Sequence, residues 1–94
     1  MVDICNIIPV DGGHRNRKTY KTMEQAIENS FRYYPSPVEM SHRLRECPQM
    51  KPVKLFANND GSYNLIEGRV RYWGWRIAFG DNCKIPGYIR ETKV

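Results

Sequence analysis

A chain of 94 residues with 40% apolar and 27% charged side chains reads as one globular domain over 1–94, with too few apolar residues in any run to span a membrane. The net charge of +5 and the pI near 9.3 suit an anionic partner (a nucleotide, a nucleic acid or an acidic protein face) without choosing among them. Cys5, Cys47 and Cys83 are widely spaced with no C-x-x-C, and His14 and His42 are far apart, so neither a disulfide framework nor a metal site is expected. With no secretory signal pattern at the start, the expected compartment is the cytoplasm.

The first apolar run, Ile4 to Val10, predicts a short strand with Pro9 at its end or on a sheet edge. Asp11-Gly12-Gly13 breaks it, and HRNRKTYK follows as a basic loop carrying Arg15 and Arg17, either solvated or a second contact for an anion. Thr22 and Gln25 stand at capping-box spacing. Met23, Ala26, Ile27 and Phe31 then recur at helical intervals, predicting a helix over about 23–33. A second helix is announced by Ser36, Pro37 and Glu39, which are cap, first-turn proline and box carboxylate in order. Its apolar stripe is Met40, Leu44 and Cys47, and Pro48 stops it.

PVKLFA, the turn NNDGS and YNLIE then read as a β-hairpin. The stretch EGRVRYWGWRIAFG follows as a helix with Val70, Gly74, Ile77 and Ala78 on one face and Gly80 just past its end. Trp73 borders that face and belongs to the core, whereas Tyr72 and Trp75 are left open between core and a stacking surface. IPGYIR closes the chain as a strand. The order β, α, α, β, β, α, β predicts an α+β domain in which helices cover a small mixed sheet.

Function is most legible at the junction before the third helix. A helix N-terminus presents unpaired N–H groups and about half a positive charge. Gly68 permits close backbone approach, and Arg69 and Arg71 bring guanidinium groups to the same turn. Cations in a first turn oppose the helix dipole, which hints at an anionic partner. Gly68, Arg69 and Arg71, with Arg15 and Arg17 from the first loop, are therefore the candidate phosphate-binding residues. Of the acidic residues that the fold could bring near the turn, Glu67 and, through space, Asp60, Asp81 or Glu91, Glu67 is the candidate for a catalytic base or metal ligand; its plainer reading is a solvated group or one that complements the helix dipole.

The segment from Pro52 to Glu91 also carries a resemblance. Its ordered set is Pro52 to Phe56, Tyr63 to Ile66, Gly68, Arg71-Tyr72, Gly80, Ile85-Pro86 and Arg90-Glu91. This set resembles the core of the ParB/sulfiredoxin superfamily, and the chain looks like a reduced, single-domain member of it. The resemblance implies a ParB/sulfiredoxin-like fold and a Gly-x-x-Arg turn that holds nucleotide phosphates, with Gly68 and Arg71 in those places and CTP or ATP with magnesium as the implied cofactor. ParB proteins carry Glu-Arg where this chain has Arg69-Val70, and the sulfiredoxin cysteine is missing from the turn, so sulfinic-acid reduction is not expected. The partition proteins' helix-turn-helix and dimerisation domains are not expected either.

Three functions remain as expectations. The first is a small binding module for a nucleotide phosphate or nucleic-acid backbone. The second is a protein-interaction factor of phage or plasmid accessory type that has lost its ligand and binds a host or partner protein. The third is a metal-dependent nuclease or phosphotransfer enzyme built on Glu67.

Overall fold

The computed structural model describes residues 1–10 and 18–90 and shows an α+β domain: a four-stranded mixed sheet, a second two-stranded sheet and, among the described residues, three α-helices. The hairpin organises it. Strands β3 (Val53–Ala57) and β4 (Tyr63–Glu67) pair antiparallel across a loop closed by the Asn58 N–H on Ser62 O, with Gly61 at φ +89°. Valine, leucine and isoleucine alternating with polar residues favour such a half-buried ladder, and Val53, Leu55 and Leu65 are its buried positions.

Both terminal strands are divided, unlike the single strands expected for 4–10 and 85–90. The chain enters as β1 (Val2–Asp3), makes a 3-10 turn over Ile4–Asn6, and continues as β2 (Ile7–Pro9). At the other end Pro86 separates β5 (Lys84–Ile85) from β6 (Gly87–Arg90). β1 and β5 pair antiparallel, while β2 and β6 join the hairpin in the order β2-β4-β3-β6, each parallel to its neighbour. The 3-10 turn and Pro86 are thus the points where each end of the chain changes sheets, with Ile4 N–H donating to Cys83 O and Val53 N–H to Pro86 O beside them. Pro9 closes an edge strand, where a missing N–H costs no ladder bond.

Helix α1 (Met23–Glu28) stops well short of residue 33. Thr22 caps it through the Gln25 N–H as expected, but the Gln25 side chain answers the N–H of Lys21, one residue earlier than a capping box requires. The early stop lies in Asn29, which adopts the left-handed conformation at φ 55° and turns its side chain into a hub. Its Oδ1 accepts from the Tyr20 hydroxyl at 2.6 Å and from Tyr33 N–H at 3.1 Å, and its Nδ2 donates to Tyr33 O. Of the predicted stripe only Ala26 is buried; Ile27 is exposed, and Phe31 reaches the core's edge by stacking on Tyr20.

Helix α2 (Pro37–Glu46) carries both arms of the Ser36/Glu39 capping box and buries Leu44, while Cys47 is an exposed C-cap rather than part of the stripe. It packs along α3 (Arg69–Phe79). The buried surface of α3 differs from the single face read from its periodicity. Tyr72, Trp73, Gly74 and Trp75 are buried, while Val70, Ile77 and Ala78 are half-buried. The helix is covered on more than one side, with Trp73 Nε1 donating to Tyr20 O and Trp75 Nε1 to Lys84 O, so both indoles are satisfied in the core. Among the described residues no helix is long and apolar enough to cross a membrane.

Candidate functional site

The turn from β4 into α3 opens onto a cavity of about 350 Å³, lined by the stretch 66–71 together with Tyr33, Tyr34, Pro35 and Met40. Four of the residues singled out from sequence, Glu67, Gly68, Arg69 and Arg71, therefore meet at one concave surface. Arg15 and Arg17 lie outside the described residues.

Gly68 is the N-cap of α3 at φ +97°, a backbone state that favours glycine. A β-carbon there would stand 2.8 Å from Arg71 Nη2 and 2.9 Å from Val53 Cγ1. The glycine thus makes the turn and leaves the space through which the Arg71 side chain passes. Having no side chain, it brings no cap of its own to the first-turn N–H groups; the helix begins with Tyr72 N–H donating to Gly68 O at 2.8 Å.

The two arginines sit differently. Arg69 is nine-tenths buried; its Nη1 donates to Ile66 O at 3.1 Å and its Nη2 to Val10 O at 3.3 Å, tying the end of the first strand segment to the turn. Arg71 is more open. Its Nη1 donates to Lys51 O at 3.0 Å and Pro52 O at 3.3 Å, and among the described residues its Nε and Nη2 make no hydrogen bond. Carbonyl acceptors fix a guanidinium without cancelling its charge, so Arg71 keeps a full positive charge and an Nε–Nη2 edge of the kind that binds an oxyanion in two bonds.

Helix dipoles add to this field. The first turns of both α2 and α3 border the cavity. Glu39 answers the dipole of α2, whereas the first turn of α3 holds no acidic residue. The carboxylate of Glu67, at the end of β4, pairs with Lys54 Nζ at 3.2 Å. Among the described residues no group of three His, Cys, Asp or Glu side chains is placed to hold a metal ion.

The remaining aromatic candidates resolve plainly: Tyr72 is 1% and Trp75 6% exposed, so both are core residues, while Tyr34, which no sequence pattern singles out, is 88% exposed beside the cavity. Its neighbour Tyr33 is internal to a cluster with Tyr20 and Phe31. The signal for Tyr34 is long-range: the chain must fold 34 next to 66–71 before it means anything. No protein-family model and no curated protein matches this chain.

Proposed function

We propose that the cavity at the β4–α3 turn is an anion site and that the protein is a small binding module for a nucleotide phosphate or a nucleic-acid backbone. The observation that carries this reading is Arg71: its charge is held by two neutral carbonyls in the lining of a cavity where a helix starts without an acidic residue. In this reading Gly68 shapes the turn, Arg71 contacts the anion, and Arg69 anchors the turn. A triphosphate such as CTP or ATP with magnesium fits the same chemistry, the metal sharing the phosphate charge. The relation to ParB/sulfiredoxin-like domains is part of the proposal, supported by the order of elements and by a Gly-x-x-Arg turn at a strand–helix junction.

The test is a thermal-shift titration with CTP, ATP, GTP and a short DNA duplex, with and without magnesium. A ligand selective for the native state raises the melting temperature in proportion to the logarithm of its concentration over Kd. The expected result is stabilisation by at least one of these that is lost in Arg71→Ala. Equal stabilisation of wild type and Arg71→Ala, or none with any of the four, would overturn the proposal and favour a protein partner.

A further inference from the structure

The cavity has a second character besides charge. We infer that Tyr34 forms a stacking wall for a nucleobase, so that the ligand is a nucleoside phosphate rather than bare phosphate or polyphosphate; this rests on the anion-site reading above. Tyr34 lies on a segment pinned on both sides. Before it, the Asn29 side chain brackets the backbone of Tyr33 through Oδ1 and Nδ2, and the Tyr33 ring meets Tyr20 and Phe31 edge-on, with centroids 5.9 Å apart in each pair. After it, Ser36 is locked as the cap of α2 by the Glu39 N–H at 3.1 Å. The Tyr34 backbone is therefore fixed while its ring, unlike those of Tyr20 and Tyr33, stays outside the aromatic cluster.

A solvent-facing aromatic ring on a fixed backbone has only its own rotamer left to order on stacking, and every nucleobase offers a π-face to it. Pro35, Met40 and Val70 line the same cavity as Arg71 and give a base apolar surroundings. The volume, about 350 Å³, falls at the small end of ligand sites and suits a single nucleotide unit. Charge matches too: the chain carries +5, and Glu67, the one carboxylate lining the cavity among the described residues, is paired with Lys54. The unit is either a free nucleotide or one residue of a single strand.

The experiment titrates the full chain with CTP, ATP, inorganic tripolyphosphate and a short single-stranded oligonucleotide, using wild type, Tyr34→Ala and Tyr34→Phe. Removing a stacking aromatic weakens binding by roughly 5- to 150-fold. The expected pattern is therefore that Tyr34→Ala weakens a nucleotide or the oligonucleotide by that factor and leaves tripolyphosphate unchanged, while Tyr34→Phe behaves as wild type. Tighter binding of the oligonucleotide than of either free nucleotide would identify a strand as the source of the base. If wild type binds tripolyphosphate as tightly as the nucleotides, or if Tyr34→Ala weakens both alike, the stacking wall fails and the anion site survives. If wild type binds none of the four, both readings fail.

Discussion

The two ends of α3 use the same side chain in opposite ways. At the C-terminal end Arg76 lies where the helix dipole favours a cation, and its charge is met inside the protein: Nε meets Asp81 Oδ1 at 2.5 Å, Nη1 donates to the Tyr72 hydroxyl at 3.0 Å, and the group lies 5.1 Å from the Trp73 ring centre. At the N-terminal end Arg71 lies where the dipole opposes it and is held by two carbonyls. One end is a closed network whose charges cancel. The other is geometrically fixed but electrically open. Arg71 combines a fixed position with a charge that no carboxylate among the described residues meets, which is what the proposed anion site requires.

The largest effect is expected from closing the open end sterically. Gly68→Ala forces a side chain into a positive-φ turn and against both Arg71 and Val53, so strain of ~1–3 kcal/mol and overpacking of similar size combine to roughly 2–6 kcal/mol. In a domain this small that lowers the melting temperature by on the order of 10 °C or more. A stable Gly68→Ala variant would mean that the turn is not built around glycine. The middle of the helix gives the next largest effect. A β-carbon on Gly74 would stand 2.5 Å from Met40 Cγ and 2.8 Å from Met40 Cβ, and the latter cannot rotate away. Gly74→Ala gains about 1 kcal/mol of helix propensity and loses about 1–3 kcal/mol to crowding, a net destabilisation of up to ~2 kcal/mol by urea denaturation. Combining it with Met40→Ala should cost less than the two single changes added together, because the contact is shared.

Removing each arginine sharpens the comparison itself. Arg76→Ala loses an ion pair, a hydrogen bond and a cation–π contact, together about 1–2 kcal/mol, and the loss should shrink in molar salt, which screens the pair with Asp81. The stability cost of Arg71→Ala should be nearly independent of salt, because its partners are neutral carbonyls. The two variants should then exchange roles in binding: tripolyphosphate affinity lost in Arg71→Ala and kept in Arg76→Ala. If both variants show the same salt dependence, the contrast between open and closed ends is wrong.

Local chemistry explains which features could be read from the sequence. Caps, turns and prolines act within a few residues, so Thr22, Ser36, the NNDGS loop and the Gly68 turn fall where their residue types predict. Asn29 shows the limit: its helix-stopping power comes from Tyr20 and Tyr33, and the apolar spacing through Phe31 carries no trace of that hub. The split terminal strands were hidden for a related reason, since a two-residue strand is defined by its partner rather than by its own pattern. At the candidate site, the turn's glycine and arginines are legible because they fall within four residues of one another. Tyr34 is not, because its meaning depends on a contact made across the fold.

The smallest effect is expected at the closed end, on the alkaline side. Burial pushes the Tyr72 hydroxyl above the usual tyrosine range near 10, and Arg76, which donates to its oxygen, pulls part of the way back. Tyr20 is raised as well, first by burial. A raised folded-state value means that the unfolded chain loses its proton first, so the stabilisation is intact below pH ~10 and declines as pH rises from there through the folded values. The slope is at most about 1.4 kcal/mol per pH unit for each tyrosine. Urea midpoints at pH 9, 10 and 11 should fall over that range, and the fall should be shallower in Tyr72→Phe. An unchanged slope in that variant would assign the alkaline response to Tyr20 and to Cys83, whose thiol is also raised by burial. Arg76→Ala separates the two further: with its pull on the Tyr72 proton gone, the folded value rises and the decline extends to higher pH, whereas Arg71→Ala, at the open end of the same helix, should leave the alkaline limb unchanged.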